Sequence, residues 1–190
     1  TLHRVLDTTG MLSGDFHIHG AAGPDLVMTD EMRVANFAAE GVEILVASNH
    51  AFVADFAPVI SDLAMESWMG TIPSQEVTTF DYGHFGLFPM VHDPLSPNGG
   101  AFDWVGVSPT EIFDWGQSQD HEMVVQINHP RAIPTPAEMQ NFFAVIDLIY
   151  DEGGWSIGEN HFDPLGTGLP PDAVMFGPGF TAMEVMTWLN

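Results

Sequence analysis

The short run VEILVA, residues 42–47, sets the first limit on what this chain can fold into. A brief, almost continuous apolar segment is the pattern of a strand covered on both faces, which belongs to sheets flanked by helices. The residues ahead of it fit that arrangement. Thr29, Asp30 and Glu31 offer a capping residue and two acids for a first helical turn. Val34, Phe37, Ala38 and Gly41 then follow i, i+3, i+4, i+7 spacing, with Gly41 as the stop. Further strands are expected at 14–20, 71–80, 82–90, 123–127 and 180–188, and helices at 58–68, 109–118 and 136–150. A loop is expected at 94–100. Residues 153–179, rich in glycine and proline, predict an irregular insertion or lid. No repeat or linker divides the 190 residues, so 1–190 reads as a single domain. Strand and helix in alternation predict a mostly parallel α/β fold, with a barrel as its closed form.

Chemistry gathers at the ends of these strands. In GDFHIHG (14–20), Asp15, His17 and His19 alternate with Phe16 and Ile18. Strand side chains alternate between faces, so the two imidazoles are expected to point one way and Phe16 and Ile18 the other. His50 in SNH follows the apolar second strand, and His129 in NHPR follows the strand at 123–127. The C-terminal ends of strands are where α/β folds build their sites. Glu76 and His84 come from the strands between, and Asp25 from the first loop. Five histidines and two carboxylates meeting there would make a shell for two or three divalent ions, with Glu76 bridging. Each residue also has a plainer reading: His50 and His129 as strand-end hydrogen bonders, Glu76 on a solvated face, His84 packed on Tyr82. The joint occurrence at successive strand ends favours the metal site. His3, His92, His121 and His161 read as surface or structural residues.

Charge narrows the classes of partner. There are 26 acidic residues against three basic ones, Arg4, Arg33 and Arg131. Such a surface repels phosphate backbones and anionic membranes, which argues against nucleic-acid binding. It suits salty surroundings and leans towards an extracytoplasmic address. No apolar run nears the roughly 18 residues of a membrane span, and no charged-then-apolar signal segment opens the chain. With no cysteine, any metal must be held by nitrogen and oxygen, which admits zinc, manganese or iron. The abrupt ends predict a piece of a longer protein.

Taken in order, GDFHIHG, SNH, PSQEVTT, GHFGLFP, QINHPR and MEV resemble the successive motifs of the PHP (polymerase and histidinol phosphatase) superfamily, nearest its CehA/McbA-like hydrolase branch. That resemblance implies a distorted (β/α)7 barrel, truncated at its C-terminus, with a trinuclear metal centre. It further implies that His17 and His19 hold one metal and that Glu76 bridges to a second, held by His84 and His129. Asp25 and His50 would serve a third. Asn49 stands where the family usually has Asp, which implies altered tuning of the site. The family's late Asp-x-His pair is absent from this chain.

The implied activity is hydrolysis by a metal-activated water acting on a small-molecule substrate. A phosphate ester comes first, with Glu76 as the catalytic carboxylate and Arg131 as a bidentate phosphate contact. Amide, ester or carbamate hydrolysis by the same site is the alternative, and a non-catalytic metal-binding domain the third reading. Ligand imidazoles must be deprotonated, so activity is expected to fall as pH drops through about 6.5. A rate measurement that stays flat into strong acid would contradict the metal site.

Overall fold

Local chemistry accounts for the first helix, α1 (Asp30–Glu40). Thr29 caps it by accepting the Met32 N–H, and Asp30 and Glu31 occupy the first turn, where the helix dipole favours negative charge. Gly41 ends it at φ 78°, a left-handed conformation that a glycine adopts without steric cost. The computed structural model describes residues 9–23, 27–79, 82–130, 142–145, 148–151, 154–157 and 179–185. Within them the other helices are α2 (Ala57–Asp62), α3 (Pro109–Gln117) and α4 (Phe142–Val145). In α3, Ser108 and Glu111 close a reciprocal capping box and Pro109 opens the first turn. The strands are β1 (Gly14–Ile18), β2 (Ile44–His50), β3 (Gly70–Thr78), β4 (His84–Phe88), β5 (Val124–Ile127), β6 (Leu148–Asp151), β7 (Gly154–Ile157) and β8 (Ala182–Met183).

Six strands form one sheet in the order β1-β2-β3-β4-β5-β8, and β6 pairs with β7 in a separate antiparallel hairpin. The main sheet is mixed. β1 with β2, β2 with β3 and β5 with β8 run parallel, whereas β4 is antiparallel to both β3 and β5. This overturns the (β/α)7 barrel, because among the described residues the sheet is open, with β1 and β8 at its edges. The reason lies between Thr78 and His84. Returning a strand in parallel needs a crossover of a dozen or more residues, and the connection from β3 to β4 spans only 79–83. The two strands therefore fold back on each other.

Other elements shift too. β2 continues through His50, so this residue ends the strand instead of following it. α2 stops at Asp62, with Ala64 in left-handed backbone (φ 54°), short of the helix expected to 68. Residues 148–151 are strand, not the end of a helix, and 154–157 pair with them inside the stretch expected to be irregular. The last strand has only two residues, Ala182 and Met183.

Packing divides into two apolar clusters. One joins Ile18, Leu45 and Ala47 of the sheet to Val34 of α1, Phe56 and Ile60. The other joins Phe85, Leu87, Val125 and Ile127 to Ile112 and Phe113 of α3 and Phe142 of α4. Between them the sheet curls. Phe16 on β1 and Phe88 on β4 are three strands apart, about 14 Å in a flat sheet at roughly 4.8 Å per strand. Their ring centroids are 5.9 Å apart. Phe16 is thus separated from Ile18, which lies in the cluster formed with α1 and α2. The cause is an extra residue in the β1–β2 register between Asp15 and Ile18, which breaks the expected alternation.

Phe85 is fully buried, with its ring 5.5 Å from Phe113 and 5.3 Å from Phe142. Phe85→Ala is expected to lower the unfolding free energy by roughly 3–5 kcal/mol, as read by denaturant melts. A loss under about 1 kcal/mol would mean that this cluster does not hold the sheet as described.

Candidate metal centre

The curl brings one edge of the sheet together around Glu76. This carboxylate sits in β3 and is fully buried. In register, His50 at the end of β2 pairs with Glu76, and Thr78 pairs with His84 at the start of β4. Because β4 is antiparallel, its first residue lies at the same edge as the C-terminal ends of β1, β2, β3 and β5. His17 and His19 arrive from β1 and the residue just beyond it, and His129 follows β5. One of the five histidines therefore comes from a strand's N-terminus, not from a C-terminal end as expected.

The five imidazoles make a closed ring. Successive centroids lie 5.0 Å apart for His17–His19, 4.4 Å for His19–His50, 5.3 Å for His50–His84, 4.9 Å for His84–His129 and 5.8 Å for His129–His17. At the centre, Glu76 Oε1 lies 2.9 Å from His17 Nε2, 3.3 Å from His84 Nδ1 and 3.4 Å from His129 Nε2. Oε2 lies 2.7 Å from His50 Nδ1 and 3.4 Å from His19 Nε2. Two sets of side chains could each hold a metal ion: His17, His19 and Glu76, and His50, Glu76 and His84. The donor atoms in each set lie within 4.8 Å of one another.

Local structure holds these side chains. Asp15 Oδ1 accepts the His17 N–H across the bulge. The buried Asn49 accepts the Gly20 N–H, which pins the chain just after His19. Thr78 Oγ1 lies 2.7 Å from His50 Nδ1 and donates to the Glu76 carbonyl. His129 adopts φ 28°, an uncommon conformation for a residue with a side chain, and its N–H donates to Glu184 Oε2 at 2.6 Å.

Glu184 was not among the expected site residues. It lies just after β8, and its Oε1 is 2.6 Å from His17 Nδ1. Its trace in the sequence is the motif MEV, whose strand has only two residues, too few for periodicity to reveal. A carboxylate behind an imidazole orients the ring and leaves the opposite nitrogen facing the cluster. Asp25 and Arg131 lie outside the described residues, as do His3 and His161. His121 is exposed, with Nε2 within 3.1 Å of the Pro89 carbonyl and Nδ1 within 3.1 Å of Asp120.

Burial and the neighbouring charges shift several groups of the cluster. Burial pulls the His17 imidazolium down, but hydrogen bonds and charge from Glu184 and Glu76 outweigh it and push His17 up to about 10. Burial would raise Glu76, yet the surrounding imidazoles hold it well below the ordinary carboxylate range. Glu184 is likewise held low by His17 against its own burial. Burial keeps His84 below the usual imidazole value, with repulsion from His129 and His50 adding to it. Glu76 Oε2 and His84 Nδ1 are buried and make no hydrogen bond of proper geometry. A nitrogen- and oxygen-rich set with such orphaned buried atoms fits a divalent cation better than it fits a closed hydrogen-bond network.

Among the described residues, no helix is long and apolar enough to cross a membrane. No family model matches this chain, and no curated protein matches it.

The protonation pattern has a direct consequence for chelator-treated protein. Folded protein keeps the His17 proton that the unfolded chain gives up near 6.5, so this contribution is complete below that pH and is lost on the way to about 10. The low carboxylates contribute above 4.5 and are lost as pH falls through their depressed values. The melting temperature is expected to peak between those limits and decline from pH 6.5 towards 10. A thermal melt series that is constant over that alkaline window would refute the pairing.

Proposed function

We propose that this protein is a metal-dependent hydrolase in which two divalent cations share Glu76 and act on a phosphate ester. The observation that carries this reading is one fully buried carboxylate at the centre of five imidazoles and common to two candidate ligand triads, His17 with His19 and His50 with His84. Zinc, manganese or iron suits such donors better than calcium or magnesium, which prefer all-oxygen shells. Cations held there would lower the pKa of a water and offset charge on the attacking and leaving oxygens. The protein's own groups prepare that chemistry. Glu184 holds the Nδ1 side of His17, which leaves Nε2 directed at Glu76. Thr78 and Asn49 hold His50 and the turn after His19 in place.

The order of the histidine motifs, which resembles that of the PHP superfamily, supports the same activity. Arg131, two residues beyond His129 in the chain, is proposed to contact the anionic oxygens of the ester. A paired-cation site suits phosphoryl transfer because an in-line displacement has two oxygens to stabilise, and the same site can polarise a carbonyl.

Protein loaded with Zn2+, Mn2+ or Fe2+ is expected to bind two equivalents by elemental analysis and to hydrolyse aryl phosphate mono- or diesters. Glu76→Gln and His17→Ala should lower kcat/KM by at least about a hundredfold, the upper range for losing even an outer-shell partner. Turnover of aryl esters or carbamates alone would replace the substrate class. Full metal occupancy with no turnover would leave a metal-binding domain.

A further inference from the structure

Glu76, Gly86 and Gln126 form one row across three strands: Glu76 of β3 pairs with Gly86 of β4, and Gly86 pairs with Gln126 of β5. Gly86 leaves room on that row. A Cβ there would lie 3.3 Å from Asn128 Oδ1 and 3.4 Å from Gln126 Cβ, tighter than ordinary contact. Into this room comes the amide of Asn128, whose Nδ2 donates to Glu76 Oε1 at 2.9 Å. Gln126 Nε2 donates in turn to Asn128 Oδ1 at 2.9 Å. All three side chains are buried.

From this row we infer that Asn128 is a positioning residue that keeps Glu76 bridging two cations, and that Gln126 sets the direction of the Asn128 amide. The inference rests on the metal-dependent reading above and deepens it. An amide can present either its oxygen or its nitrogen to a neighbour. By donating to Oδ1, Gln126 leaves the NH2 group as the end that faces Glu76. With the amide reversed, oxygen would face oxygen in a buried place, which is repulsive. One lone pair of Glu76 Oε1 is thereby engaged, and the carboxylate is held with Oε1 towards His17, His84 and His129 and Oε2 towards His50 and His19. A carboxylate released from that anchor can rotate and chelate one ion through both oxygens. The second ion then loses its shared ligand.

The test uses chelator-stripped protein titrated with Co2+, following the visible absorption bands and counting equivalents. Wild type is expected to take two. Asn128→Ala and Gln126→Met should keep the first equivalent and bind the second about tenfold to a hundredfold more weakly, with altered band shape. Gln126→Met removes the amide that donates to Asn128, is not one of the candidate ligands and keeps nearly the same volume, so it decides alone should Asn128→Ala fail to fold. Two wild-type-like equivalents in Gln126→Met would overturn the positioning role while leaving the metal site standing. Wild type that takes no Co2+ would remove the metal reading itself, and the positioning role with it.

Discussion

A carboxylate taken wholly out of water is the constraint on which this structure turns. An unpaired buried anion costs several kcal/mol even after relaxation, a large share of a domain's net stability. Glu76 is therefore tolerable only if positive charge or several donors reach it from all sides. Its backbone position in the middle of the sheet means that no single neighbouring strand can provide them. Imidazoles arrive from β1, β2, β4 and β5 instead, and Asn128 adds an amide. In metal-free protein the raised His17 keeps a proton, and so positive charge, beside Glu76 and Glu184. A divalent cation would take over that duty, so one set of contacts serves both the fold and the ligand.

Curvature makes this convergence possible. His17 and His129 belong to strands four apart, about 19 Å in a flat sheet, yet their rings are 5.8 Å apart. The bulge in β1 adds to the twist and turns Phe16 towards Phe88. The reversal of β4 matters equally. With β4 parallel, His84 would lie at the far edge of the sheet, and the ring around Glu76 would be broken between His50 and His129.

Much of the site was legible before any coordinates, because imidazoles at strand ends are a local pattern. His17, His19, His50, Glu76, His84 and His129 each stand in a short motif that marks them. The α1 boundaries were equally legible, since Thr29 and Gly41 are chemical signals confined to a few residues. What local pattern could not show was global. Alternation of strand and helix suggests closure into a barrel, although the connection at 79–83 is too short to carry a parallel return. Glu184 escaped notice because a two-residue strand has no period. The bulge escaped because inserting one residue changes facing without changing composition. Asn128 carries no pattern of its own beside His129 in NHP.

The acidic surface and the site attract cations in different ways, and only one of them selects. With 26 acids against three arginines, the field around the protein concentrates any cation nearby. At physiological ionic strength that field decays over about 8 Å and does not distinguish calcium from zinc. Selection needs donors that differ in kind. The exposed carboxylates are hard oxygen ligands, of the sort calcium and magnesium accept, whereas the cluster around Glu76 is mostly nitrogen. A cation drawn by the surface therefore exchanges freely until it meets imidazoles. The nitrogen-rich ring would make that stop specific, and the buried anion at its centre would hold an ion that the surface charge alone would let go.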